Sequence, residues 1–267
     1  MIETKAAMLI GTFILLAVNP ALAGLTVSGS FCDADVTPGQ HIEHDMIIST
    51  DAGDGQMEMQ VDILGFGRDL KGQNIGLNPD EDISPYSARP FLRVSPRNFT
   101  LSPGSSQNVL LEGDIPTDVG EGGRYVLVYI HSNPSGSGNV GFAVAVEVPV
   151  RLTIAGTKLV KTGEITDLSI NKPISREKQN VSLTFNNTGN YNYYASAEAV
   201  LKDMNGSILS NSSTPAGFNS ILPATSRQFD LSITPNIKLQ SGSYSITSTV
   251  RLDDGTELAS REIEFDL

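Results

Sequence analysis

Two distant stretches of this chain carry the same punctuation, and that repeat constrains the fold more than any other feature. In LSPGSSQNVLLEGDIPTDVGEGGRY, Pro103 precedes Pro116 by thirteen residues and Tyr125 by twenty-two. In LPATSRQFDLSITPNIKLQSGSY, Pro223 precedes Pro235 by twelve and Tyr244 by twenty-one. Each copy reads as a turn, an alternating strand, a Pro-marked exit, a loop ending in Gly-X-Tyr and a second alternating strand. A tyrosine at the start of a late strand can hydrogen-bond back to the corner of a β-sandwich. The expectation is an all-β chain of two tandem immunoglobulin-like β-sandwich domains, residues 24–156 and 157–267, joined near AGTKLVKTG.

The rest of the chain fits that plan. Turn pairs such as TPG at 37, SPG at 102, MNG at 204 and DDG at 253 punctuate short β-branched and aromatic runs. The second half divides into seven such runs: GEITDLSI, NVSLTFNNTG, YYASAEAVLKD, SILS, RQFDLSI, SYSITSTVRL and ELASREIEFDL. Outside the first residues, no dozen-residue segment keeps a helical period.

The clearest strand is NVGFAVAVEVPVRLTIAG. Phe142, Val144, Val146, Val148, Val150, Leu152 and Ile154 fall on one face, with Ala145, Glu147, Pro149 and Arg151 on the other. Pro149 lacks a backbone donor and places the strand at a sheet edge or bulge. A run of this length is long for one strand. It reads either as core or as an extension presented to a partner. On the second reading, Phe142, Val144, Val146, Val148 and Val150 form the binding face, with Arg151 as an anion contact.

Residues 1–23, MIETKAAMLIGTFILLAVNPALA, combine Lys5, an apolar run from Met8 to Val18 and an Ala-Leu-Ala ending. This is the pattern of an export signal cleaved before Gly24. The run is shorter than the roughly 20 residues of a spanning helix, and no later stretch is apolar enough to cross a bilayer. The remaining chain is therefore expected to be exported, in the cell envelope or outside it. Residues 24–156 carry 17 Asp and Glu against 7 Lys and Arg, whereas residues 157–267 carry 12 against 10. A nucleic-acid partner would need a basic surface, so that class is set aside. Cys32 is the single cysteine, so no intrachain disulfide forms, and it reads as a small buried hydrophobe.

The motifs that could carry chemistry dissolve on inspection. GSGNVG, residues 136–141, matches a dinucleotide fingerprint but leads into a strand rather than a helix, and reads as a hairpin loop. His41 and His44, three apart on a strand, point to opposite faces and cannot chelate one ion. His131 has no evident partner. Asp80, Glu81 and Asp82 lack EF-hand spacing and read as a solvated acidic loop. No catalytic residue, metal site or cofactor is assigned. Asn98, Asn180, Asn186, Asn205 and Asn211 are sequons open to glycosylation in a suitable host.

The stretch RPFLRVSPRNFTLSPGSSQNVLL, residues 89–111, resembles the first immunoglobulin-like, PapD-like domain of pilus chaperones. In those proteins a strand like residues 139–154 lends alternating side chains to an incomplete pilin. The likeness puts Arg151 where they carry a basic cleft residue; their second cleft arginine, on the first strand, has no counterpart in LTVSGSFCDADV. VSPRNFTLSPGSSQNVLLEGDIP, GGRYVLVYIHS, FNNTGN, LPATSRQF and LQSGSY also resemble the two-domain extracellular region of WxL-interacting surface proteins. That likeness implies a peptidoglycan-binding domain followed by a host-binding one. The membrane helix usual at the C-terminus of those proteins is missing here. Together these readings imply a secreted or cell-surface, non-catalytic binding protein. It would engage a surface protein or envelope polymer by edge-strand pairing. The alternatives are a periplasm-like assembly chaperone for surface filaments and a structural spacer.

Overall fold

A computed structural model describes residues 24–30, 32–134, 143–172, 174, 176–217 and 220–267. The segment read as an export signal, the GSGNVG motif and Phe142 lie outside the described residues. Among the described residues no helix is long and apolar enough to cross a membrane.

The chain is all-β. Among the described residues, ten strands build the first sandwich: β1 (Leu25–Ser28), β2 (Cys32–Val36), β3 (His41–Thr50), β4 (Met57–Arg68), β5 (Asn74–Leu77), β6 (Leu92–Ser95), β7 (Asn98–Leu101), β8 (Ser106–Asp114), β9 (Gly123–Ser132) and β10 (Ala145–Ile154). One sheet runs β1-β3-β8-β6; the other runs β2-β10-β9-β4-β5, with β7 also on β4. The first strand of the sandwich is thus split. β1 pairs antiparallel with β3, the chain turns through Gly29, and β2 pairs parallel with β10 in the opposite sheet.

The second sandwich holds β11 (Gly163–Ile170), β12 (Gln179–Asn187), β13 (Ala195–Asp203), β14 (Ile208–Thr214), β15 (Ser226–Ile233), β16 (Ser243–Leu252) and β17 (Glu257–Asp266). Its sheets run β11-β12-β15 and β14-β13-β16-β17. These are the seven runs read from the sequence, shifted at most a few residues at their ends.

Each sandwich is closed by its own apolar face. Val109, Leu111, Val126, Val128, Ile130, Val148 and Val150 meet in the first core, and Val181, Leu183, Phe185, Leu231, Ile246 and Val250 in the second. Phe66, Tyr125, Leu127 and Leu222 form a third cluster, in which Leu222 of the second sandwich covers the outer face of β4 and β9. This explains the run YVLVYI in β9. Val126, Val128 and Ile130 point into the core while Tyr125 and Leu127 point at the neighbouring sandwich, so the strand is buried on both faces over Gly123–Val128.

The paired glycines before Tyr125 have a matching cause. A Cβ at Gly122, which has φ of 86°, would collide with the Asn190 carbonyl, and one at Gly123 with the Tyr125 phenol. Their absence lets Gly123 N–H donate to Asn190 O at 2.8 Å. On the other side Gln228 N–H donates to Leu70 O at 2.7 Å.

Candidate functional site: an open strand edge beside the cleft between the sandwiches

β10 forms where alternation predicts a strand, but it begins at Ala145 and spans 10 residues. Val148 and Val150 are fully buried in the first core, with Leu152 and Ile154 below them. Their side chains pack the sandwich and offer no surface, which corrects the reading of the whole valine row as a binding face. Val144 and Val146 are half-buried against the upper end of the same core.

What β10 offers instead is backbone. Ser132 N–H donates to Val144 O at 2.9 Å, and Ile154 N–H donates to Gly122 O at 2.9 Å. In an antiparallel ladder the hydrogen-bonded pairs alternate, so the even-numbered residues between these points bond to β9. The N–H and C=O groups of the odd-numbered residues face the other edge. That edge is covered by β2 only from Val150 to Ile154. Ala143, Ala145 and Glu147, all exposed, turn their backbone groups to an edge on which no strand lies among the described residues. Pro149 stands in the same phase. It has no N–H to leave unpaired, and it marks the point at which β2 begins.

Arg151 lies where β10 meets the second sandwich. Its register partner on β2 is Asp33, and the two make a bidentate pair: Nε to Oδ1 at 2.6 Å and Nη2 to Oδ2 at 2.6 Å. Burial works against the charged guanidinium, but the Asp33 and Tyr194 hydrogen bonds hold its pKa above the usual arginine value. Arg151 therefore already carries a carboxylate from its own chain. An outside anion would have to compete with the Asp33 carboxylate for the anion-contact role expected of Arg151.

The cleft around this pair has a volume of about 560 Å³. Asp33, Asp35, Asp253 and Asp254 line it against Arg151 and Lys161. Its charge favours a cationic group over an anionic one.

The remaining expectations meet mixed outcomes. Cys32 is buried and unpaired, as expected, and burial, with Asp33 adding, pushes its thiol up to about 11. The acidic loop is not simply solvated. The Asp82 side chain is only 2% exposed, accepts from Ser87 Oγ at 2.5 Å and pairs with Arg89 Nε at 3.1 Å. Asp82 lies over Gly65, where a Cβ would collide with it. Among the sequons, Asn98, Asn180, Asn205 and Asn211 are exposed, whereas Asn186 is half-buried and accepts from Ser226 Oγ at 3.4 Å. His131 finds a partner the sequence did not suggest, Asp62 Oδ2 at 3.2 Å, and stacks on Tyr129. His41 and His44 stay apart: His44 Nε2 meets Gly29 O at 2.8 Å, and His41 Nδ1 meets Asp114 Oδ1 at 2.7 Å.

No protein-family profile matches the chain, and no curated protein matches it. Solved structures do. The Escherichia coli chaperone DraB aligns at 14% identity and a TM-score of 0.40, over 92% of this chain and 98% of that one. The Pseudomonas aeruginosa CupB2 chaperone aligns at 14% and 0.40, over 91% and 100%. A Salmonella enterica complex of the SafA pilin with the SafB chaperone aligns at 12% and 0.41, over 92% and 97%. Pilus chaperones of immunoglobulin-like, PapD-like fold are thus among the structural neighbours. The likeness to WxL-interacting proteins finds no support in these comparisons.

Proposed function

We propose that this chain is an exported, non-catalytic binding protein of the cell envelope that takes up an extended segment of a partner protein as an added strand on residues 143–147. One observation carries the reading: Ala143, Ala145 and Glu147 aim backbone donors and acceptors at an edge that β2 leaves uncovered. In strand addition such groups supply affinity, while the alternating side chains supply selectivity. Val144 and Val146 flank the edge on the inner face, so an incoming segment with alternating apolar residues can extend the core past its upper end. The exposed side chains of Ala145 and Glu147 lie on the opposite face.

The half-buried valines also favour a second form of the same reading, an assembly chaperone. The strand would complete the core of an unfinished sandwich domain and then release it. The two forms differ in lifetime: a docking protein keeps its partner at the surface, whereas a chaperone is absent from the finished assembly.

The test is Glu147→Pro. Proline at an outward-facing position removes one donor from the open edge and none from the ladder to β9, as Pro149 already shows is tolerated. In cross-linked intact host cells, the tagged wild type should capture a stoichiometric protein partner. The variant should melt like wild type and lose the capture. Capture that survives the substitution overturns the edge. Recovery of envelope polymer alone, or of uncross-linked monomer, overturns the protein partner and returns the chain to anchoring or spacing.

A further inference from the structure

We propose that His41, Glu43 and Glu112 form a binding site for a divalent transition metal, zinc being the representative ion, on the outer face of the β1-β3-β8-β6 sheet. The sequence offered His41 and His44 as the natural pair, and strand geometry separates them. That geometry instead places Glu43 two residues on, on the same face as His41, and the β3–β8 register sets Glu112 directly across from Glu43. Nε2 of His41 lies 3.4 Å from Glu43 Oε1 and 4.0 Å from Glu112 Oε2, and the three donor atoms fall within 4.8 Å of one another. Bonds of about 2.0–2.2 Å to a tetrahedral ion put neighbouring donors roughly 3.4 Å apart. The His41–Glu43 spacing already matches, and Glu112 needs only a small side-chain rotation at the surface.

The groups behind the ligands fit the same role. Asp114 takes the Nδ1 side of the His41 ring at 2.7 Å, which turns Nε2 toward the two glutamates, where a bound ion would take the place of its proton. A carboxylate behind a ligating imidazole fixes its tautomer and raises its donor strength. On β6, Arg93 Nε donates to Glu112 Oε1 at 3.2 Å, holding that carboxylate so that Oε2 is the oxygen left for the ion. One imidazole and two carboxylates suit zinc better than the all-oxygen sets of calcium or magnesium. Three protein donors leave a coordination position for water.

The site is independent of the β10 edge, which lies in the other sheet, so the two proposals fail separately. Zinc alone, titrated into the full mature chain and followed by calorimetry, should bind saturably at one ion per chain. Cobalt in its place should give visible d–d bands. Because the ligands are at the surface, His41→Ala and Glu112→Gln should stay folded and lower affinity at least tenfold. Asp114→Asn should lower it about tenfold through the imidazole, and His44→Ala should leave it unchanged. Absence of saturable binding at millimolar zinc, or binding that His41→Ala does not weaken, overturns the site.

Discussion

The Tyr125 hydroxyl leaves its own sandwich: it accepts the N–H of Asn192 at 2.9 Å and donates to Asn192 Oδ1 at 3.1 Å. Its counterpart in the repeat, Tyr244, behaves as a corner tyrosine and donates to Gln240 O at 3.0 Å, four residues upstream. One position in the repeat thus serves two ends, closing a corner in the second copy and joining the two sandwiches in the first. Burial pushes the Tyr125 phenol pKa upward, so the group is a neutral donor at any ordinary pH.

Tyr125→Phe should therefore cost about 1–3 kcal/mol, because it also strands the Asn192 N–H. It should separate the unfolding of the two sandwiches, seen by calorimetry as one transition broadening into two. Tyr244→Phe should lower only the transition of the second sandwich. Identical effects from both would contradict a joining role for Tyr125.

Val148→Thr buries a hydroxyl in the first core, where no partner is arranged for it. It should cost about 1–3 kcal/mol in urea denaturation. Val146→Thr, at the half-buried upper end of the same strand, should cost clearly less. Equal costs would place the whole row in the core and weaken the case for an accessible edge.

Asp33→Asn breaks the bidentate pair and leaves a guanidinium only 15% exposed without its charged partner. A loss of about 1–3 kcal/mol is expected. The variant should also gain thermal stabilisation from added acetate that wild type does not show, because no aspartate then competes with an outside carboxylate for Arg151. Equal responses to acetate would mean that Asp33 does not block it.

With the Cys32 thiol raised to about 11, very little thiolate exists at pH 8. Ellman's reagent should leave the native protein unreacted on the scale of minutes and find one thiol after denaturation. Fast native labelling would show that β2 opens readily from β10.

His41 titrates above its usual range, chiefly through its hydrogen bond to Asp114, with Glu43 adding. The folded state thus favours imidazolium. Its contribution is fully present below an unfolded pKa of about 6.5 and is lost as pH rises through the higher folded value. In chelator-treated buffer, the urea midpoint of wild type relative to His41→Asn should fall over that window. Among the described residues, Glu43, Glu112 and Asp114 are the charged groups that meet the ring, and Arg93 pairs with Glu112 behind them. A flat difference across that window would show that the ring gains nothing from these carboxylates.

The sequence by itself determined that this is an all-β chain of paired sandwiches, and it placed the strands of the second half almost to the residue. Side-chain alternation and turn residues act within a few positions of one another, so they are written locally. It also marked β10 and, through Pro149, the point on that strand where a backbone donor is lacking.

Only the tertiary structure decided which groups at that edge are open. Hydrogen-bond phase depends on the neighbour chosen, and β2 reaches β10 by crossing between sheets, an arrangement no local pattern encodes. The same holds for Asp33 meeting Arg151 across 118 positions, for Tyr125 reaching Asn192, and for His41 meeting Glu112 rather than His44. Register between distant strands sets each of these contacts, and the global packing of both apolar faces fixes that register.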